Sequence, residues 1–247
     1  MKILITNDDG IEGEGIIAIA KVLCKSHDVT VTAPKSEQSG MSHALTVRRE
    51  IEVLTPNFPA NVNIAYAIDG TPTDAVKIYL EAIAKDKPDL IISGINNGAN
   101  LATDTTYSGT VGAALEGFLH DIPTLALSRD KKSTIAFEEA AEKTLNFIDE
   151  IYKNGNLFFL NVNFPKRFND NPQFIYCRLG RRDYKNAFAK KEHDGKVFYV
   201  IGGEAVDIDQ AEGTDIFAIN GGNIAVTPLL SNLTDYKALE NIKKHKT

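Results

Sequence analysis

The 247-residue chain is 43% hydrophobic and 24% charged, the balance of an ordinary globular protein, and it is long enough to bury a substantial core. Its formal net charge is −6 and it has no dense Lys/Arg block, which argues against duplex nucleic acid or a membrane surface as its partner. An acidic chain acting on an anionic substrate needs a local source of positive potential, either a metal ion or helix termini.

Residues 2–6, Lys-Ile-Leu-Ile-Thr, form a near-continuous apolar run of the kind that suits a parallel strand covered on both faces. The Met-Lys-Ile-Leu-Ile opening therefore reads as a strand and not as a signal peptide. Ile16, Ile17, Ile19, Ala20 and Leu23 recur at helical spacing and predict a helix over 14–25, with Cys24 inside it. Residues 28–33 predict a second strand that stops at Pro34, so the chain opens as a βαβ unit with a right-handed crossover. Residues 35–49 read as a polar loop, and 50–55 and 62–68 as two strands of an antiparallel arm. Thr71-Pro72-Thr73-Asp74 has a Thr cap, Pro at the first helical position and a carboxylate at the third, which predicts a helix running to about Lys85. Residues 88–93 predict a third core strand and 94–107 a Gly/Asn-rich loop. A helix over 109–120, a strand over 124–128, a helix over 134–152 and a strand over 157–162 follow.

After Pro165 the texture changes. Residues 174–179 and 196–201 alternate like exposed strands around the charged run 181–196. Residues 216–219 and 223–227 predict short strands about the turn Asn220-Gly221-Gly222, and Thr234 is expected to cap a final helix. Lys243-Lys244-His245-Lys246 reads as a solvated tail. Cys24 and Cys177 do not form a CxxC pair and are expected to be free, buried thiols. No apolar run approaches the roughly 20 residues that span a bilayer. The expected organisation is a doubly wound, mostly parallel α/β core over 1–165, with a smaller β-rich part and a terminal helix over 166–247, in a soluble cytoplasmic protein. The strands past 166 are too short and exposed to stand alone, which predicts a homodimer or homotetramer.

The chemistry concentrates at strand ends. Asn7-Asp8-Asp9-Gly10 follows the first strand directly, and ligands of open α/β sheets bind at the carboxyl ends of strands. Two adjacent carboxylates repel each other, a disadvantage that a divalent cation removes. Taken alone, Asp-Asp-Gly also reads as an Asx turn with a helix cap. Ser39 follows the second core strand and Asn96 the third, and with Asp8 and Asp9 they make a plausible oxygen-only site for one divalent ion, Mg²⁺ or Mn²⁺. Ser108-Gly109-Thr110 opens an apolar helix whose free N–H groups could bind phosphate, although Ser108 is also an ordinary cap residue. Asn97, Gly98 and Asn100 could line the same cavity, and His43 could assist. There is no Walker loop, GxGxxG or GxSxG.

These segments resemble the SurE family of metal-dependent nucleotidases. The matching residues are Ile3–Gly10, Ala33-Pro34 leading to Ser39-Gly40 and Leu45-Thr46, Gly70–Asp74, Ser93–Asn96, Asn100, Tyr107–Thr110, Leu160–Asn163 before Pro165, Gly213-Thr-Asp215 and Thr227-Pro-Leu229. After Gly10, however, this chain has Ile-Glu-Gly-Glu-Gly where many members have a His and an Ala-Pro pair, and from 230 onward the fit is loose. The resemblance implies a Rossmann-like domain with a β-hairpin extension and a C-terminal segment that can exchange between subunits. It implies hydrolysis of nucleoside 5′- and 3′-monophosphates, and of short polyphosphate in some members. It assigns the metal to Asp8, Asp9, Ser39 and Asn96. Asp8, Asp9 and Asn96 are accordingly the expected catalytic residues, with Asn100, Ser108, Gly109 and Thr110 on the phosphate. Attack by a metal-activated water is the expected mechanism. A response-regulator receiver also carries an acidic pair after its first strand, but Ser93 stands near where its phosphate-accepting Asp would fall, and this chain is about twice as long.

Overall fold

The computed structural model of the protein describes residues 1–152 and 157–244. The first part of the chain comprises β1 (Lys2–Thr6), α1 (Glu14–Leu23), β2 (Asp28–Pro34), β3 (Val53–Leu54), β4 (Ile64–Ile68), α2 (Pro72–Ile78), β5 (Leu90–Asn97), α3 (Gly109–Leu119), β6 (Thr124–Arg129), α4 (Phe137–Ile151) and β7 (Phe159–Phe164). The rest comprises β8 (Phe174–Tyr176), β9 (Arg181–Lys185), β10 (Phe188–His193), β11 (Lys196–Ile201), β12 (Glu204–Asp209), α5 (Asp215–Asn220), β13 (Ile224–Pro228) and α6 (Tyr236–Lys244).

One sheet runs β3-β4-β2-β1-β5-β6-β7-β13-β8. From β4 to β7 every neighbouring pair is parallel, and these strands, numbered among themselves in chain order, run 3-2-1-4-5-6. That is the doubly wound Rossmann-like order, with its switch point between β1 and β5. Both faces are covered, which is why the strands are apolar along their length. Ile16, Ile19 and Leu23 of α1 pack with Ala140, Phe147 and Ile148 of α4 on one face. Val76 of α2 and Ala113 of α3 join Leu4 and Ile91 on the other. α2 starts as its sequence dictates: Asp74 N donates to Thr71 Oγ1 at 3.0 Å and Thr71 N to Asp74 Oδ2 at 2.8 Å, a reciprocal cap. It closes in a wider turn over Tyr79–Ile83, where Ala84 N reaches Tyr79 O at 2.7 Å.

Several expectations are corrected. Residues 50–68 are not an arm, because β4 pairs in parallel with β2 inside the main sheet and β3 adds only two residues at its edge. β5 continues to Asn97 before the loop begins, and the loop contains a short 3₁₀ turn, Ala102–Thr106. Residues 216–219 form helix and not strand: Thr214 Oγ1 accepts from Phe217 N at 3.2 Å and starts α5. The charged run 181–196 contains β9 and β10, whose exposed positions tolerate charge on both faces. Asp235, not Thr234, receives the Ala238 N–H at 2.8 Å at the start of α6. Of the Lys-rich tail, His245 and Lys246 lie outside the described residues. Both cysteines are free as expected, with Cys177 buried and Cys24 half-buried.

The hairpin extension is built from antiparallel β9–β12 and β10–β11, which stand apart from the main sheet. β8 and β13 come from beyond residue 165 and extend the main sheet past β7. Among the described residues, no helix is long and apolar enough to cross a membrane.

Candidate active site

β1 and β5 are neighbours, with Thr6 opposite Ser93, and the chain leaves them in opposite directions along the sheet. Such a switch point opens a crevice at the carboxyl ends of the two strands. Asn7 folds back on Gly10 there: its Nδ2 donates to Gly10 O at 2.8 Å, and Gly10 N donates to its Oδ1 at 3.2 Å. Gly10 has φ 96°, a conformation that a side chain resists. The tight turn presents Asp8 and Asp9 side by side.

Asp8 is only 6% exposed and lies against the start of α3. Thr110 donates to it twice, from Oγ1 to Oδ1 at 2.6 Å and from its backbone N to Oδ2 at 3.1 Å. Gly109 makes this approach possible, because a Cβ there would fall 3.0 Å from Asp8 Cβ and 3.1 Å from Oδ2. Burial raises the Asp8 pKa; the Thr110 hydrogen bonds oppose the rise and the charge of Asp9 adds to it, leaving the group at about 6. Asp9 is also raised, by burial and by the charge of Glu37, against the opposing N–H of Asn97 at 3.2 Å from its Oδ2. The ion pairs found among the described residues involve neither aspartate.

The other expected site residues fall as follows. Ser39 is exposed, and its hydroxyl donates to Glu37 Oε1 at 2.7 Å, which leaves its lone pairs for a cation. Its loop is fastened to the aspartates by Gln38 N donating to Asp8 O at 2.7 Å. Asn96 pairs across strands with Ser128, and its Nδ2 donates to Gly98 O at 2.7 Å, so the nitrogen is committed and the amide oxygen is the ligand atom it can offer. Ser108 caps α3 by accepting from Val111 N at 3.1 Å. Among the first three N–H groups of α3, those of Thr110 and Val111 are thereby engaged, and Gly109 N–H is the donor left for an outside anion. Asn100 is buried, and its Nδ2 donates to Ser128 Oγ at 2.8 Å. The helix start thus holds one of the protein's own carboxylates where the sequence pointed to substrate phosphate. A Ser-Gly-Thr helix start attracts either anion, and nothing in the linear pattern distinguishes them. The contacts of Gln38 and Asn97 are backbone bonds and leave no sequence signal at all.

The donor set suits a hard divalent ion: two carboxylates, a hydroxyl and an amide oxygen, with no thiol or imidazole. Ligand atoms of Glu81, Glu116 and His120 also lie within 4.8 Å of one another. Lys77 Nζ, however, lies 2.9 Å from both Glu81 Oε1 and Glu116 Oε1, so an ammonium group already serves that cluster. His43 belongs to it as well, with Nε2 at 2.7 Å from Glu116 Oε2.

Residues 3–186 match the model of a known family, Survival protein SurE. The chain belongs to the SurE family. A "5′-nucleotidase SurE" of Pelotomaculum thermopropionicum is 39% identical over 99% of this chain and 95% of that protein. One of the same description from Heliobacterium modesticaldum is 39% identical over 98% of this chain and 90% of its own. The crystal structure of the SurE protein from Aquifex aeolicus matches over the whole of both chains, with 36% identity and a TM-score of 0.84. Nearly full coverage means that the SurE likeness includes the β8–α6 region as well as the parallel core.

Proposed function

We propose that the protein is a cytoplasmic, metal-dependent phosphatase that hydrolyses nucleoside 5′- and 3′-monophosphates, and also short-chain polyphosphate. The observation that carries this reading is Asp8, buried against a helix start beside Asp9, with its pKa raised to about 6 and no cationic side chain paired with it among the described residues. The SurE relatives named 5′-nucleotidases support the substrate class.

In this reading Asp8, Asp9, Ser39 and Asn96 hold one Mg²⁺ or Mn²⁺. A cation bound there supplies Lewis acidity and neutralises charge on the phosphoryl group. Thr110 fixes the Asp8 carboxylate by two hydrogen bonds, which sets its oxygens before substrate arrives. Asp9, the more exposed of the pair, accepts the proton of the attacking water. Ser108, Gly109 and Thr110 border the phosphate, with the Gly109 N–H donating to an equatorial oxygen as charge spreads over it in the transition state. Asn100 holds the facing loop from behind. The same proposal includes self-association through the C-terminal part over 166–247. Phe188, Tyr199 and Ile201 of the hairpin and Tyr236 and Ile242 of α6 are exposed, more apolar surface than an isolated monomer normally leaves in water.

A phosphate-release panel over nucleoside monophosphates, sugar phosphates and polyphosphate, each with and without EDTA, tests the reading. Release from nucleotides that stops on chelation and returns with Mg²⁺ or Mn²⁺ is expected. Full activity in excess EDTA after dialysis overturns the metal, and no release from any nucleotide overturns the substrate class. Light scattering showing a stable monomer near 27.0 kDa at micromolar concentration overturns the assembly.

A further inference from the structure

The segment between β5 and α3 leads from a candidate ligand, Asn96 near the end of β5, to the Asp8-binding helix start, and apart from one 3₁₀ turn it is irregular backbone. Asn100, Leu101 and Ala102 are nevertheless buried, and buried backbone groups need partners. Two asparagines of β7 supply them. Asn163 takes the Asn100 N–H on its Oδ1 at 2.8 Å and returns its own Nδ2 to Asn100 O at 3.1 Å. Its side-chain amide thus copies the donor–acceptor pair that a neighbouring strand would present. Asn161 Nδ2 donates to the same Asn100 O at 2.8 Å. Both asparagines are fully buried. Two residues on, Asp215 Oδ2 takes the Ala102 N–H at 2.7 Å, and Ala102 sits at φ 51°, a conformation unfavourable for a residue with a Cβ unless its surroundings hold it.

These anchors come from Asn-Val-Asn and Gly-Thr-Asp, two motifs that no step of the proposed reaction uses. They divide one irregular loop into two short spans, one leading from Asn96 and one leading into Ser108. Resting on the phosphatase reading above, we infer that Asn163 and Asn161 are positioning residues: by clamping the backbone of Asn100 they fix the loop between the metal-ligand side and the phosphate side of the site. They do not touch substrate. Placement errors of about 1 Å in such a loop lower rates by around 100-fold, because they act on a geometry needed only in the transition state.

The test compares Asn163→Leu and Asn161→Leu, similar in size and unable to hydrogen-bond, in the Mn²⁺-loaded full-length protein. Amide hydrogen exchange over 97–107 reads the clamp directly, and steady-state kinetics with a nucleoside monophosphate reads its consequence. Exchange at Asn100 should accelerate at least about 100-fold in Asn163→Leu, with kcat falling roughly 10- to 100-fold and KM changing less than about 3-fold. Asn161→Leu removes one of the three bonds and should move both readouts in the same direction by roughly 3- to 10-fold, which keeps the test open if the first variant fails to fold. Faster exchange with kcat per folded molecule unchanged makes the asparagines purely structural and overturns the inference. Unchanged exchange overturns the clamp itself. Failure of the wild type to release phosphate from nucleotides sinks the phosphatase reading instead, and exchange still reports on the clamp.

Discussion

Asp8 and Glu116 are both nearly inaccessible carboxylates, one at the start of α3 and one within it, and their environments drive them in opposite directions. Burial alone raises both. At Glu116 the hydrogen bonds of His43 and Lys77 and the Lys77 charge outweigh burial and bring the group down to about 2. At Asp8 the two Thr110 bonds do not, and Asp9 adds a like charge, so the group stands at about 6. One carboxylate is completed by the Lys77 ammonium and the His43 ring and fastens α2, α3 and the 35–49 loop together. The other is left with an electrostatic deficit that an external cation can fill. Burial is common to the two carboxylates; what separates them is the cationic partner that Glu116 has and Asp8 lacks.

The sharpest way to break that contrast is Asp8→Asn. It should lower phosphate release at least about 100-fold, because it removes charge from the cation's ligand set. Without metal, the same variant should be more stable than the parent, by up to about 3 kcal/mol at pH 8, the free energy that corresponds to the displaced Asp8 pKa. Chemical denaturation in EDTA checks the second half, and a variant that loses both activity and stability would show that Asp8 is an ordinary structural anchor. Titration provides an independent reading. The folded Asp8 value lies above the unfolded one of 3.8, so the folded state binds the proton more tightly. Apo-protein stability should therefore rise by up to about 3 kcal/mol as pH falls through 6 towards 4. Glu116 works the other way: its contribution is fully present above about pH 4.5 and is lost as pH falls towards 2. In Asp8→Asn the Asp8 share of that gain should vanish, leaving only what the raised Asp9 contributes, while the acid loss remains.

Glu116→Gln should destabilise by about 2 kcal/mol at pH 7, less than its displaced pKa implies because His43 and Lys77 are partly solvated. Turnover per folded molecule should change less than about 3-fold, and a collapse of kcat with an intact melting temperature would place Glu116 in the chemistry. Thr110→Val has the smallest effect in free energy, about 1.4 kcal/mol. It removes the 2.6 Å hydroxyl bond to Asp8, and Mn²⁺ affinity by calorimetry should weaken by roughly 10-fold with activity following. Activity lost without any change in Mn²⁺ affinity would move Thr110 wholly to the phosphate.

The parallel core was legible because its strands are apolar runs and its helices repeat at 3.6, and Asp8-Asp9 was legible because it follows such a run. Misreadings arose where local pattern is degenerate. Ile-Phe-Ala-Ile at 216–219 is apolar in either conformation, and the Thr214 cap decided for helix. The strands β9 and β10 were hidden because neither of their faces meets a core. The placement of Asp8 and Asp9 at a strand end was legible, but their hydrogen-bond partners were not. That Thr110 engages Asp8 depends on how α3 docks against β1, and no local signal carries that information.

The place of β13 has a consequence for how the molecule is made. It pairs antiparallel with β7, matching Asn163 with Ala225, and the whole hairpin extension is threaded between the two in sequence. During synthesis β7 is an unsatisfied edge of apolar residues until residue 228 has emerged, when the core before it is otherwise complete. Pairing so distant in sequence is slow to form, and the interval leaves an aggregation-prone strand open. A chain ending before 224 should therefore collapse into a sheet that stays adhesive along β7, so that the closing strand acts as a safeguard for the newborn chain as much as a part of the mature one.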